Sequence, residues 1–290
     1  MQNCIPLMPP SAIDGGASEA QALPMSRRDF LALLPGAGAA GLLACAPGAQ
    51  RLAQSPPQGE PRPRRRIRAI CFDLFTLFDP RTVVEAAREL IGPQADALCE
   101  AWRTRQFEYS WLLVAAGQYA DFQRVTERAL VYASKARGLP LDDGVRRALV
   151  DAYSRLRPWP DARAALVAWQ SAGLLLAPLS NYSPPMLAKL LENAGFSRLF
   201  TAPISTDAAR TFKPDPRAYA LGESTLGLKR EEIAFAAFGG WDAAGAKWFG
   251  FPSFWLNRLG VPQEELVAPD ATVSSLTQLA ELVSNWNRDV

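Results

Sequence analysis

Four short apolar segments of this sequence are each followed by polar side chains that could take part in catalysis. The first segment is rich in β-formers, predicts a buried strand, and ends at Asp73. The later polar groups are Ser180 with Asn181, then Lys213, then Asp242. Ligands of an open parallel α/β sheet bind outside the carboxyl ends of its strands. We therefore expect Asp73 to face a ligand there, with the later hydroxyl, amide, ammonium and carboxylate groups as its partners.

Each of these side chains also has an ordinary structural interpretation. Asp73 could cap the turn that follows it. Ser180, Asn181 and Asp242 precede or open predicted helices, where such residues are common N-caps. A loop lysine such as Lys213 is usually solvated, although the proline after it favours an extended backbone that can direct it inward. Only the combination of the four groups therefore indicates a site.

The overall composition excludes several function classes. The 290-residue chain is 49% hydrophobic and 21% charged, which is ordinary for a soluble globular protein. Its net charge of +2 gives no reason to expect nucleic acid as a partner. It has no histidine, which excludes Ser-His-Asp and Cys-His catalysis and the HExxH zinc motif. The four cysteines form no CxxC pair, so a zinc site is not expected.

From residue 158 onward, predicted strands and helices alternate. The expected strands are 174–179, 202–204, 233–237 and 253–256. The expected helices are 162–171, 184–194, 216–226, 243–249 and 276–285. This alternation predicts an α/β fold with a doubly wound parallel sheet, covered by helices on both faces and built from residues 67–80 and 158–290.

Residues 81–157 are different, because they are almost wholly helical in pattern. Apolar residues recur at helical spacing in about four stretches, separated by glycine and proline at 92–93, 117 and 138–140. Helices inserted after a single strand predict a small bundle over the active edge of the sheet. We expect this segment to form a helical cap domain.

The first 66 residues predict targeting rather than fold. Residues 1–24 indicate a disordered leader or a misassigned start. Residues 25–45 have the pattern of a twin-arginine signal peptide, with two arginines before an apolar run too short to span a bilayer. Residues 46–66, rich in proline, glutamine, glycine and arginine, predict a linker. The signal predicts export to the periplasm.

The end of the predicted signal has two interpretations. Residues 42–45 resemble a bacterial lipobox, in which Cys45 would be lipidated and would tether the protein to a membrane. Alternatively, Cys45 is a small residue near an ordinary signal-peptidase site.

The four strand-end groups, in this order and spacing, resemble the haloacid dehalogenase superfamily, whose motifs are a nucleophilic aspartate, a serine or threonine, a lysine and a terminal acid. More narrowly, the chain resembles the type II (L-)2-haloacid dehalogenases. Phosphatases of the superfamily have a second, metal-binding aspartate two residues after the nucleophile, and this position is Phe75 here. Six further segments are close to the dehalogenase pattern: 102–103, 106–111, 119–122, 180–184, 212–219 and 241–246.

This resemblance implies a Rossmann-like core with an inserted helical-bundle cap. It also implies hydrolysis of short 2-haloalkanoic acids to 2-hydroxy acids through an aspartyl ester on Asp73, with neither metal nor cofactor. The expected ligand is a small 2-halocarboxylate, and a homodimer is expected.

Individual roles also follow from the resemblance. Asp73 would be the nucleophile, and Lys213 would keep it ionised. Asp242 would orient or activate water, and Arg103 would hold the substrate carboxylate or receive the halide. Thr76 belongs to the first motif. The expected substrate-binding residues, of which the aromatic members could equally be ordinary core, are Ser180, Asn181, Phe75, Gln106, Phe107, Phe122, Tyr219 and Trp241.

The sequence departs from the family pattern at three places. Phe75 runs directly into Thr76, so the glycine that normally separates them is missing and the turn is reshaped. Ala237 and Gly239 replace a serine and an asparagine, and Tyr182 replaces a glycine. These changes concern ester hydrolysis and substrate choice. They leave two alternatives open: a divergent hydrolase of another small carboxylate or ester, and a catalytically impaired exported binding protein.

Overall fold

The structure is a computed structural model that describes residues 64–290. The predicted leader, the twin-arginine signal, Cys45 and nearly all of the linker lie outside these residues. Within the described part of the chain, no helix combines the length and the apolar character needed to cross a membrane.

Within residues 64–290, six strands form one sheet in the order β5-β4-β1-β6-β7-β8, and every neighbouring pair is parallel. Its strands are β1 (Ala69–Phe72), β4 (Leu175–Ser180), β5 (Ile204–Ser205), β6 (Ile233–Ala237), β7 (Ser253–Leu256) and β8 (Ala271–Val273). Two further strands, β2 (Phe78–Asp79) and β3 (Arg157–Pro158), pair antiparallel with each other. The predicted α/β fold with a doubly wound parallel sheet is confirmed.

Strand β1 lies at the centre of the sheet and is buried on both faces. Ile70 and Phe72 point into one hydrophobic cluster, and Ala69 and Cys71 point into the other. Successive side chains of a strand alternate between faces, so a wholly apolar strand is what a sheet covered on both sides requires. This central position places Asp73, the next residue, at the middle of the carboxyl edge.

Helices cover both faces of the sheet. They are α1 (Leu74–Leu77), α6 (Ala162–Ser171), α7 (Pro184–Asn193), α8 (Pro216–Leu226), α9 (Gly240–Phe249) and α10 (Leu276–Arg288). Trp169 of α6 and Leu279 of α10 belong to the cluster of Ile70, whereas Tyr219 of α8 and Ala246 of α9 belong to the cluster of Cys71. The predicted helices agree with these closely, except that α9 begins three residues earlier and α10 ends three residues later than expected.

Four helices lie between β2 and β3 and are called the cap helices below. They are α2 (Arg81–Ile91), α3 (Ala95–Ala115), α4 (Phe122–Ala136) and α5 (Asp143–Asp151). The indole Nε1 of Trp102 on α3 donates to the backbone oxygen of Thr126 on α4 at 2.8 Å. The β2–β3 pair joins the two ends of this insertion next to the predicted boundaries, although the division into two domains stays a prediction.

Three features of the fold differ from expectation or were not predicted. Strand β5 is Ile204–Ser205 rather than 202–204. The pair β2–β3 and strand β8 were missed, because two or three residues are too few to show the alternation by which strands are recognised.

Candidate active site

Asp73 follows β1 directly and serves two purposes. Its Oδ2 accepts a hydrogen bond from the backbone N–H of Phe75 at 3.2 Å, which caps α1. Its Oδ1 accepts from Nζ of Lys213 at 2.8 Å, and the side chain remains 16% exposed. The capping interpretation of Asp73 is therefore correct, but it does not exclude a role in a site.

Lys213 lies between two carboxylates and is 1% exposed. Its Nζ donates to Oδ1 of Asp73 and, at 2.7 Å, to Oδ2 of Asp242. Burial works against the positive charge of Lys213, but Asp242 and Asp73 outweigh this effect and raise the pKa of the ammonium group above its usual range. The lysine therefore stays charged at neutral pH and holds Asp73 in place. We call Asp73, Lys213 and Asp242 the charge row.

Asp242 lies behind Lys213 rather than on the surface of a cavity. Gly239, not Asp242, is the N-cap of α9, so the capping interpretation of Asp242 was wrong. Both of its carboxylate oxygens are occupied, Oδ2 by Lys213 and Oδ1 by the hydroxyl of Tyr219 at 2.7 Å. Burial raises the pKa of Asp242 above that of an ordinary aspartate, although the charge of Lys213 opposes it.

The loop after β4 contributes a hydroxyl and a rigid amide. The hydroxyl oxygen of Ser180 accepts from the backbone N–H of Tyr182 at 3.0 Å, which leaves its own proton available to a ligand. Oδ1 of Asn181 accepts from the backbone N–H of Lys213 at 2.9 Å and so fixes the lysine loop. The N-cap of α7 is Ser183, so neither Ser180 nor Asn181 is the cap that the structural interpretation suggested.

Aromatic side chains from the core and from the cap helices surround Arg103 on α3. Its guanidinium carbon lies 5.2 Å from the ring centre of Phe75 and 5.3 Å from that of Phe107. Within residues 64–290, Arg103 has these rings as neighbours and no carboxylate partner. The ring of Phe107 in turn lies edge-on to Trp241 at 5.4 Å, which joins α3 to α9.

These groups enclose a cavity of about 50 Å³. Its lining is Asp73, Leu74, Phe75, Arg103, Gln106, Phe107, Phe122, Tyr153, Ser180, Asn181, Tyr182, Lys213, Phe238, Gly239 and Trp241. Thr76, Tyr219 and Asp242 do not line it. The structure thus brings ten of the thirteen predicted site residues to one cavity and places the other three behind it.

Two predicted substrate-binding residues have polar atoms that are already used within the protein. The hydroxyl of Tyr219 is directed at Asp242, so this residue supports the charge row instead of touching a ligand. Nε2 of Gln106 donates to the hydroxyl of Thr126 at 2.9 Å, and its Oε1 accepts from the hydroxyl of Tyr153 at the same distance. Gln106 therefore contributes to the wall of the cavity, while its amide group is hydrogen-bonded to Thr126 and Tyr153.

Thr76 acts within the turn that carries the nucleophile. Its hydroxyl donates to the backbone oxygen of Asp73 at 2.7 Å. Two distant side chains hold the same turn: Nε1 of Trp159 donates to the backbone oxygen of Phe75 at 3.0 Å, and the guanidinium of Arg258 donates to that of Thr76 at 3.1 and 3.2 Å. The carbonyls of the shortened first motif are thus fixed from outside the motif.

Several residues of the site escaped prediction. Tyr153 lies in a segment whose pattern predicts only helix, and nothing in its spacing marks it. Trp159 and Arg258 act on Phe75 and Thr76 from 84 and 182 residues away along the chain. Phe238, by contrast, stands between two residues that the fourth motif singles out, and its position at the end of β6 is a signal that could have found it.

Metal binding is restricted by the residue types at this edge. The position two residues after Asp73 carries Phe75, whose ring packs edge-on against Phe238 at 5.9 Å. In the described part of the chain, no three Cys, Asp or Glu side chains come together where they could hold a metal ion.

The family follows from residues 67–250, which match the profile described as haloacid dehalogenase-like hydrolase. The chain belongs to the haloacid dehalogenase-like hydrolases. Among these hydrolases, it is similar to haloacetate dehalogenase H-2 of Moraxella sp. (strain B), at 38% identity over 76% of this chain and 99% of that protein. It is also similar to the (S)-2-haloacid dehalogenase of Pseudomonas sp. (strain YL), at 40% identity over 74% of this chain and 94% of that protein.

Solved dehalogenase structures share the fold. A crystal structure of an L-2-haloacid dehalogenase superposes with a TM-score of 0.74 at 39% identity, covering 76% of this chain and all of that one. The L-2-haloacid dehalogenase of Xanthobacter autotrophicus with chloropropionic acid covalently bound superposes with a TM-score of 0.71 at 37% identity, covering 75% of this chain and 98% of that one. The core of this hydrolase is therefore a haloacid dehalogenase core.

Proposed function

We propose that this hydrolase acts on carbon–halide bonds, converting short 2-haloalkanoic acids to 2-hydroxy acids through an ester on Asp73. The observation that carries the proposal is the carboxylate of Asp73, bound by Lys213 at 2.8 Å at the edge of a cavity whose wall is aromatic. The relatives named as haloacetate and (S)-2-haloacid dehalogenases support the same reaction.

The first step is a displacement by Asp73. One carboxylate oxygen attacks the carbon that carries the halogen, an ester C–O bond forms, and the carbon–halogen bond breaks with its electron pair leaving on the halide. The charge row has a net charge of −1 before this step and is neutral afterwards, since the ester of Asp73 is uncharged. Lys213 and Asp242 then remain as a balanced, buried pair.

An anionic substrate must approach this negative row, and a second cation offsets the repulsion. Arg103 lines the cavity without a carboxylate partner among residues 64–290, so it is available to the substrate carboxylate or to the departing halide. The hydroxyl proton of Ser180 supplies a further donor to the carboxylate. Phe75, Phe107, Phe122 and Trp241 form the apolar wall around the alkyl halide.

The second step is hydrolysis of the ester. Water attacks the acyl carbon of the Asp73 ester, the 2-hydroxy acid leaves, and the carboxylate is restored with release of one proton. Ala237 and Gly239 bring no polar side chain to this step. Because both oxygens of Asp242 are bound to Lys213 and Tyr219, we propose that Asp242 acts through Lys213, keeping the lysine charged and aimed at Asp73.

Halide release from monochloroacetate and from each enantiomer of 2-chloropropionate tests the proposal. Asp73→Asn should abolish release, with a loss of about 10⁴-fold or more, whereas Asp289→Asn, at an exposed aspartate, should not change it. Absence of halide release together with a mass shift on the Asp73 peptide would mean that the ester forms but is not hydrolysed. Absence of both signals would favour a binding protein and contradict the proposal.

We further propose that residues 25–45 direct export by the twin-arginine route to the periplasm, that Cys45 is a candidate for lipidation, and that the enzyme is a homodimer. Export is supported by the pair Arg27-Arg28 before a short apolar run, and lipidation by the lipobox-like residues 42–45. The homodimer rests on the resemblance to the type II 2-haloacid dehalogenases. Changing both arginines to lysine should retain the protein in the cytoplasm, measured by fractionation. Incorporation of a radioactive fatty acid into the wild-type protein, and its absence from Cys45→Ser, would identify a lipoprotein.

A further inference from the structure

Tyr182 occupies the substrate side of the cavity. It follows Ser180 and Asn181 in the loop after β4, lines the cavity, and is 3% exposed. Its backbone N–H donates to the hydroxyl oxygen of Ser180 at 3.0 Å, so the backbone that carries the ring also fixes the predicted carboxylate-binding hydroxyl.

The ring of Tyr182 is clamped between the core and the cap helices. It stacks on Phe122 of α4 with ring centres 5.6 Å apart and planes 20° apart, and it lies edge-on to Tyr153 at 6.2 Å. Its hydroxyl donates to the backbone oxygen of Tyr153 at 3.3 Å. The backbone oxygen of Tyr182 itself accepts from the hydroxyl of Ser205 at 2.6 Å. A ring held at this many points cannot rotate away to admit a larger ligand.

Tyr182 also lies close to the reacting groups. Burial raises the pKa of its hydroxyl well above the usual range, the charge of Asp73 adds to this shift, and the charge of Arg103 opposes it. The side chain is therefore neutral at neutral pH and acts as a wall rather than as a base. Tyr182 lines the same cavity as Asp73 and Arg103, so its ring forms part of the wall around the substrate.

We propose that Tyr182 sets the chain-length limit of the substrate, so that the enzyme prefers two-carbon haloacetates to 2-haloalkanoates with longer side chains. This inference rests on the proposed function. The ring of Tyr182 lines the cavity and is held by Phe122 and Tyr153, so a carbon added to the side chain of the ligand meets a wall that does not yield. One methylene in an apolar pocket changes kcat/KM by about 10- to 200-fold, and a rigid wall makes the penalty a steric one.

The test compares kcat/KM for monochloroacetate, racemic 2-chloropropionate and racemic 2-chlorobutyrate. The wild-type enzyme should prefer chloroacetate to 2-chlorobutyrate by at least about 10²-fold. Tyr182→Ala and Tyr182→Leu should each reduce this preference by about 10-fold or more, because both remove the ring. Tyr182→Phe retains the ring and should retain the preference. Tyr132→Ala, at a half-exposed tyrosine of α4, should leave kcat/KM for all three acids unchanged.

The outcomes separate this inference from the proposed function. Halide release from chloroacetate with the same preference in Tyr182→Ala or Tyr182→Leu as in the wild type would overturn the inference alone. Equal rates for chloroacetate and 2-chlorobutyrate in the wild type would do so too, even if neither ring-free variant folds. No Asp73-dependent release from any of the three acids would overturn the proposed function itself.

Discussion

The two sides of the cavity are built in different ways. On the sheet side, the members of the charge row are hydrogen-bonded to one another. Lys213 donates to both Asp73 and Asp242, and the hydroxyl of Tyr219 donates to the second oxygen of Asp242. On the cap side, Arg103 lies between aromatic rings and has no carboxylate partner among residues 64–290. The charged groups of the sheet side are hydrogen-bonded to one another, whereas the cap side has a cation available for an anion that arrives from solvent.

This difference assigns separate tasks to the two regions. A nucleophile held by Lys213 is positioned before any substrate binds, which favours chemistry on the sheet side. An unpaired cation and the aromatic rings of the cap helices respond to the substrate, which favours binding of the substrate anion on the cap side, while Tyr182 of the loop after β4 limits its chain length. Substitutions on the sheet side should therefore affect stability and chemistry together, and those on the cap side should affect substrate binding with little effect on stability.

Removing the central cation should give the largest effect. Lys213→Met leaves the buried Asp242 and the partly exposed Asp73 without a neutralising cation, which should lower the free energy of unfolding by about 3–5 kcal/mol and halide release by about 10³-fold or more. The double variant with Asp242→Asn removes one of the uncompensated charges and should recover stability but not activity. Denaturant unfolding and halide release check both quantities. Recovery of activity in the double variant would show that the charge row is dispensable.

Removing the cap cation should affect activity while sparing the fold. Arg103→Met should lower kcat/KM by about 10²-fold, since a hydrogen bond to a charged group is worth about 1.5–3 kcal/mol. The free energy of unfolding should change by no more than about 1 kcal/mol, the value of its contacts with aromatic rings. Arg105→Met is the matched control, because Arg105 lies on the same helix and pairs with Glu108 instead. Equal losses of activity in the two variants would contradict a specific role for Arg103.

The pH dependence of activity reports on the charge row. Burial raises the pKa of Asp242 to about 6. Activity should therefore fall as the pH drops through this value, because Asp242 is protonated and no longer offers Lys213 a negative charge. Because the pKa of Asp242 is higher folded than unfolded, its protonation favours the folded state, and its contribution to stability is lost as the pH rises through about 6. The acid decline in activity should therefore occur without acid unfolding by this group.

A substitution at Tyr219 sharpens that test. The Tyr219 hydroxyl lowers the pKa of Asp242 through its hydrogen bond. Tyr219→Phe should therefore move the acid decline in activity to a higher pH, measured as the midpoint of kcat against pH. An unchanged midpoint would mean that Asp242 does not control the decline.

Prediction from the sequence succeeded where a signal is local and failed where it is not. Short segments of the sequence are enough to recognise the central strand, the residues at the strand ends and the alternation of strands and helices. The order of strands in the sheet then brings Asp73, Lys213 and Asp242 together. The dehalogenase pattern of residues 212–219 marked Tyr219 as a residue of the site, but it did not show that the Tyr219 hydroxyl donates to Asp242. Arg258 was missed because its contact with Thr76 exists only after the chain has folded.

Two tryptophan side chains make the same kind of hydrogen bond, one to the turn that carries the nucleophile and one elsewhere in the protein. Nε1 of Trp159 donates to the backbone oxygen of Phe75 at 3.0 Å, and Nε1 of Trp286 donates to that of Arg65 at the same distance but far from the cavity. Trp159→Phe and Trp286→Phe each remove one such bond, worth about 0.5–1.5 kcal/mol.

Only the first of these two variants should change catalysis. Trp159→Phe should lower kcat by about 2- to 10-fold with KM nearly unchanged, since the turn positions Asp73 and not the substrate. Trp286→Phe should lose similar stability and no activity. If KM rises instead in Trp159→Phe, the turn shapes the binding surface as well as positioning Asp73, and its hydrogen bond to Trp159 does not serve the chemical step alone.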